Sequence, residues 1–229
     1  MVGDVLDEAF RLYKTHWQHL MGVALAYYLV VSTFTLVLTI LFGGYGALAG
    51  AFVLLISIFW LTGALIEAVA DIRDGRADLT LTETFARVGP RVLPLFGASI
   101  LAGLGIGLGL LLLIVPGLIL LTWWSLITAT IVLEGKGVFE SFGRSRELVR
   151  GNGWSVFGIV ILTYLLTSVV SAVISAIFIF LPDYARTYVG NVAGGTVTAP
   201  FVALALTVLY FRLSGASVEP AAVPQVEPR

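Results

Sequence analysis

Residues 92–133 read VLPLFGASILAGLGIGLGLLLLIVPGLILLTWWSLITATIVL, bounded by Arg91 and Glu134, with no Asp, Glu, Lys or Arg between them. A hydrocarbon layer about 30 Å thick is crossed by about 20 mostly apolar residues at 1.5 Å rise each. The stretch is therefore too long for one crossing and suits two. Its punctuation is Pro116-Gly117, which separates residues 92–115 from 117–133. Outward from this pair, the same criterion finds 17–42 and 47–70 before it, and 154–181 and 191–213 after it. Gly43-Gly44-Tyr45-Gly46 supplies an uncharged turn between the first two. The fifth span is long for an upright helix and exits at Leu181-Pro182-Asp183, where Tyr184 and Tyr188 suit an interface. The expected fold is an all-α membrane protein. Six transmembrane helices form three hairpins, about 17–70, 92–133 and 154–213, in one domain over residues 1–213.

Composition agrees. Of 229 residues, 59% are apolar and 12% charged, against roughly 45–50% and 25% in soluble domains, and the mean hydropathy is +1.00. With 13 Lys and Arg against 14 Asp and Glu, no basic excess points to nucleic acid. The absence of cysteine excludes disulfides, thiolate metal sites and cysteine nucleophiles. Charge informs through position. Arg11, Lys14, Arg73, Arg76, Arg87, Arg91, Lys136, Arg144, Arg146, Arg150, Arg212 and Arg229 fall on one side of the spans, and only Arg186 on the other. Short loops rich in Lys and Arg stay in the cytoplasm, so both termini are expected there. Asp4, Asp7, Glu8, Arg11 and Lys14 occupy the place where a cleavable signal would have its apolar core, so the first span is expected to be retained. Residues 214–229, with Pro220, Pro224 and Pro228, are expected to form a disordered cytoplasmic tail.

Each hairpin follows a similar pattern: Glu8-Ala9-Phe10-Arg11, Glu83-Thr84-Phe85-Ala86-Arg87 and Glu140-Ser141-Phe142-Gly143-Arg144. Leu81, Phe85, Val88 and Val92 share a helical face, as do Val5, Leu6, Ala9, Phe10 and Tyr13, and Thr80-Leu81-Thr82-Glu83 reads as a capping box. From the phenylalanine a glycine lies 12 residues on in the first two copies, Gly22 and Gly97, and 16 on in the third, Gly158. The unit these spacings suggest is an amphipathic helix on the inner surface followed by two spans, repeated three times. The plainer alternative is that juxtamembrane helices commonly mix Glu, Phe and Arg.

Ile114-Val115-Pro116-Gly117-Leu118, Trp124, Ile131-Val132-Leu133-Glu134-Gly135-Lys136-Gly137, Glu140-Ser141-Phe142-Gly143-Arg144-Ser145 and Glu147-Leu148-Val149-Arg150-Gly151-Asn152 carry a resemblance. The chain is similar to prokaryotic six-span proteins related to the membrane domain of glycerophosphoryl diester phosphodiesterases, with YciC-like proteins as relatives. The likeness is strongest over about residues 110–165. It implies a multi-pass protein of the prokaryotic cytoplasmic (inner) membrane. In those phosphodiesterases a separate soluble domain does the chemistry; no stretch here is left for one, so that activity is not expected.

Ionisable side chains on spans mark candidate sites. Glu67, Glu134 and Arg212 end the second helix of each hairpin, near the inner interface. Packed together they form two carboxylates around one guanidinium, a ligand or coupling site; packed apart, they snorkel to headgroups. Spans three and six read as irregular. Gly103, Gly105, Gly107 and Gly109 alternate in the first, and Gly194, Gly195 and Pro200 interrupt the second, making Gly195 and Pro200 hinge candidates, with Thr196 and Thr198 placed to satisfy freed backbone groups. Both features also serve plain packing. Lys136, Arg144, Arg146 and Arg150, interleaved with Val138, Phe139, Phe142 and Leu148, are candidates for lipid headgroups.

No catalytic motif emerges. His16 and His19 lack a third ligand, Asp71-Ile72-Arg73-Asp74-Gly75-Arg76-Ala77-Asp78 reads as a charged loop, and neither G-x-S-x-G nor a P-loop occurs. The expectation is a non-enzymatic protein without cofactor or metal. Its partners are membrane lipids and other membrane proteins, and its role is envelope organisation or stress tolerance. The competing expectation is a small carrier or exporter with a site between the hairpins.

Overall fold

The computed structural model describes residues 1–73 and 80–215; the expected tail from residue 216 and most of the charged loop expected over Asp71 to Asp78 lie outside the described residues, while Asp71 to Arg73 end the first helix. In order come α1 (Val2–Arg73), α2 (Leu81–Val88), a 3-10 turn (Gly89–Arg91), α3 (Val92–Leu112), α4 (Ile114–Trp123), α5 (Ile127–Glu134), α6 (Val138–Val149), α7 (Gly153–Ile177) and α8 (Asp183–Ser214). Among the described residues five helical stretches are long and apolar enough to cross a membrane: Val2–Arg73, Thr82–Leu112, Ile114–Glu134, Gly153–Ile177 and Asp183–Ser214. The first, 72 residues long and interrupted at His16 and Gly43, holds two crossing lengths.

Gly43 (φ 58, ψ −132) adopts a backbone closed to side-chain-bearing residues, and there the chain doubles back. The Tyr27 hydroxyl lies 2.7 Å from the Ser57 hydroxyl across the two arms, and Gly50 packs directly on Thr35. The expected four-residue turn at Gly43 to Gly46 is thus a one-residue reversal, since helix resumes at once on the far side.

The next reversal is not at Pro116-Gly117. It falls at Leu113, the one extended residue (φ −155, ψ 132) between α3 and α4. Proline needs no intrahelical donor in a first turn, so Pro116 opens α4 instead of ending α3. Gly117 then lets the arms close: a Cβ on Gly109 would lie 2.9 Å from the Gly117 Cα, and one on Gly105 2.5 Å from the Trp124 ring. Gly103 and Gly107 face open space. The third span is a continuous helix. The irregularity falls in the fourth, which stops at Trp123 and resumes at Ile127.

α7 ends at Ile177, short of the expected Leu181, and α8 starts at Asp183, before the expected Asn191. Pro182 stands at the cap and Asp183 in the first turn, both favourable for initiation. α8 runs unbroken through Pro200. At the start of α2, the Thr80 amide donates to Glu83 at 2.9 Å and the Glu83 amide to the Thr80 hydroxyl at 3.3 Å, the reciprocal cap that the sequence suggests. On the first surface segment Val5 and Ala9 are fully buried, whereas Phe10, assigned to the same face, is 61% exposed.

Packing is uneven along the bundle. At the proximal end, where α1 begins and α8 ends, Val5, Leu65, Ile66, Leu126, Ile131, Ile159, Leu204 and Leu209 are sealed in the core. At the distal end, around Gly43, Leu113 and residues 178–182, large apolar side chains such as Ile40, Leu111 and Phe180 are exposed. An apolar exterior of this extent suits a lipid solvent.

The contrast within the glycine series gives a test. Gly109→Ala should lower unfolding stability in detergent by about 1–3 kcal/mol, because backbone stands in the way of the added methyl. Gly103→Ala and Gly107→Ala should be neutral or raise it by up to about 1 kcal/mol through helix propensity.

Candidate functional site: a charged collar at the proximal end

The three span-end charges are brought to one end of the bundle, but not into one cluster. Glu67 faces Arg87 at 3.5 Å and Arg91 at 3.8 Å. Arg91 also donates to the Val132 carbonyl in the last turn of α5, where helical carbonyls lack partners of their own. Glu134 accepts from the Arg144 Nε with both oxygens at 3.0 Å and from the Tyr210 hydroxyl at 2.9 Å. Arg212 reaches Asp4 at 3.4 Å and Glu8 at 3.2 Å, and Glu8 also holds Arg73 at 3.4 Å. Among the described residues no ion pair joins Glu67, Glu134 and Arg212 to one another.

Of the two arrangements considered for these groups, together or apart, the ion pairs fit the second: each span end has partners of its own. The physical reason is proximity: each span end meets a surface segment carrying the opposite charge, Arg87 on α2, Arg144 on α6, and Asp4 with Glu8 on the first turns of α1. Sequence reasoning missed these partners. Arg87 and Arg144 stand at the same place in the two Glu-x-Phe-x-Arg patterns, a signal that was available.

Of the four headgroup candidates, Arg144 is already engaged. The hydrogen bond from its guanidinium to Glu134 raises its pKa above the usual value, so it stays charged. Arg146 lies 4.3 Å over the Trp123 ring. Among the described residues neither Arg146, Arg150 nor Lys136 forms an ion pair, so these three remain free to meet anions. Phe139 is 81% exposed beside them, and Phe142 packs edge-on against Trp124 at 4.9 Å.

Beneath α6 lies the break in the fourth span. The Ser145 hydroxyl, fully buried, donates to the Trp123 carbonyl at 2.7 Å and accepts from the Leu126 amide at 3.2 Å. One side chain thus pairs a carbonyl and an amide flanking the interruption. No proline or glycine marks the place, so nothing local announced it.

The hinge candidates have packing roles. Gly195 sits against the Tyr28 ring, which occupies the space a side chain would need, and Pro200 is buried within a continuous helix. Thr198 donates to Gly194 at 2.8 Å, while the Thr196 hydroxyl, 5% exposed, has no partner. Distally, two hollows of about 450 and 460 Å³ meet at Thr187 and Asn191. Ser32, Thr35 and Tyr188 line one, and Tyr28, Ser171 and Arg186 the other. Among the described residues no three His, Asp or Glu converge as a metal site would need.

Four substitutions test the collar and the break beneath it. Ser145→Ala strands two backbone groups and should cost about 1–3 kcal/mol. Ser141→Ala, equally buried but bonded to the Val138 carbonyl of its own helix, should cost less. Glu134→Arg should destabilise, and adding Arg144→Glu should recover about 1–2 kcal/mol, measured by unfolding of the purified protein in detergent.

No curated protein and no solved structure matches the chain. A family model described as a domain of unknown function, DUF7847, matches residues 18–219. The match begins just past the His16 kink, so it leaves out the first turns of α1 with Asp4 and Glu8 and takes in the collar's Glu67, Arg87, Glu134, Arg144 and Arg212. With so large a share of its length covered, the chain belongs to the DUF7847 family.

Proposed function

We propose that this is a non-enzymatic, multi-pass protein of the prokaryotic cytoplasmic membrane whose collar engages anionic lipid and which supports envelope organisation or stress tolerance. In this reading the six crossing stretches form three hairpins, each led by a surface helix. The proximal end and both termini face the cytoplasm, as the cation distribution favours. The three collar pairs support a repeated unit: every hairpin ends on a charge answered by a surface segment, with the sign reversed in the third. The likeness to the membrane domain of glycerophosphoryl diester phosphodiesterases fits the same layout. Other membrane proteins are a second class of partner for the exposed apolar flanks.

The observation that carries the lipid reading is the division of labour on α6. Arg144 is spent inside the protein, while Lys136, Arg146 and Arg150 remain free next to the exposed Phe139. Cations flanked by an apolar anchor are the features that draw a surface helix to an anionic leaflet, at about 1 kcal/mol for each. A second reading, a small carrier, is favoured by the distal hollows. They are hydroxyl-lined, and the Ser32 hydroxyl there is 4% exposed and has no partner among the described residues.

In nanodiscs of mixed lipid, the full chain should immobilise anionic spin-labelled lipid over zwitterionic. Added salt should weaken that preference, as should the triple variant Lys136→Gln, Arg146→Gln, Arg150→Gln. Equal immobilisation of both lipids, unchanged in the variant, contradicts the lipid reading.

A further inference from the structure

Two hollows meet at Trp123. One, about 570 Å³, lies against α6 and is lined by Trp123, Gly143, Arg146, Glu147 and Arg150. The other, about 490 Å³, runs between α4 and α7 and is lined by Val115, Leu118, Ile119, Trp123, Trp154 and Phe157 among others. The first is cationic on balance: Arg146 and Arg150 outnumber Glu147, and among the described residues neither arginine has a carboxylate partner. The second is walled mainly by aliphatic and aromatic groups and extends from Trp123 to Val115, about 12 Å along the helix axis at 1.5 Å per residue.

The order of these surfaces matters. α7 starts at Gly153, and the chain between the two helices, Gly151 to Gly153, borders the apolar slot, so the cationic hollow sits where the collar gives way to the spans. Two guanidinium groups above an apolar channel reproduce, from outside to inside, the sequence of groups in a phospholipid. Free phosphate would use only the upper part, and a soluble anion gains nothing from the slot. The Arg146 guanidinium carbon lies 4.3 Å from the Trp123 ring centroid, a cation–π contact that holds the side chain at the hollow and lowers the conformational cost of a phosphate contact.

We propose that these joined hollows form a specific site for one anionic phospholipid, its phosphate held by Arg146 and Arg150 and one acyl chain lying between α4 and α7. This rests on the lipid reading above and sharpens it from a general surface preference to a single stoichiometric ligand. General electrostatic attraction fades at about 1 M salt, where screening acts within about 3 Å. A lipid whose chain is seated in the slot is retained.

The test is lipid retained by the full chain after purification in mild detergent and a wash at about 1 M salt, counted by native mass spectrometry. One anionic phospholipid per chain is expected. Arg146→Gln with Arg150→Gln should reduce occupancy about tenfold. Ile119→Trp, which fills the slot from a position 41% exposed, should do the same, whereas Leu108→Trp, 57% exposed on α3, should leave occupancy unchanged. Unaltered melting of the variants separates site loss from misfolding. Retention that is equal in all variants, or indifferent to headgroup charge, overturns the site. An anionic preference in nanodiscs without a retained lipid also overturns it while leaving the broader reading intact.

Discussion

A charge or an unpaired backbone group inside hydrocarbon costs several kcal/mol, and the architecture follows from avoiding that cost. The spans carry no charge until their ends. Where Glu67, Glu134 and Arg212 do occur, each lies at the proximal end and meets an opposite charge from a surface segment. The same pairs that keep these groups neutralised fasten the surface helices to the bundle. Salt bridges half open to solvent contribute modestly one by one, but here they also fix where α2, α6 and the first turns of α1 lie.

That placement has consequences deeper in the bundle. α6 is held over the fourth span by Arg144 on Glu134, and from there Ser145 reaches the break between α4 and α5. The break orients Trp123 and Trp124 differently: Trp124 covers Gly105 on α3, and Trp123 underlies Arg146. A surface ion pair, a buried hydroxyl and an interrupted helix thus form one continuous arrangement, and the joined hollows beside Trp123 are its outcome. At the distal end the described residues show no ion pair between helices, and there large apolar side chains are exposed and the hydroxyl-lined hollows open.

Much of this was legible in the chain itself. Uncharged runs of span length announced the crossing stretches, and Thr80 with Glu83 announced the start of α2. The depth of Glu67, Glu134 and Arg212 placed them at one end. Other features depend on contacts that sequence spacing does not encode. Pro116 looked like a stop and acts as a start, because a proline is equally at home after a helix and in the first turn of the next. Pro200 reads as a hinge candidate, and its helix runs without a break through it, the residue itself buried. The break at residues 124–126 depends on Ser145, 19 residues from Leu126. The ion-pair partners come from surface segments whose docking no local pattern specifies.

The central claim is that one end of the bundle, the charged collar, faces the cytoplasm and the other does not. The absence of native cysteine makes this directly measurable with single introduced thiols. In right-side-out vesicles, a membrane-impermeant maleimide should label Gly44→Cys and Tyr184→Cys at the distal end. It should label Arg11→Cys and Lys136→Cys only after the membrane is opened. Labelling of Arg11→Cys or Lys136→Cys in sealed vesicles would contradict the account.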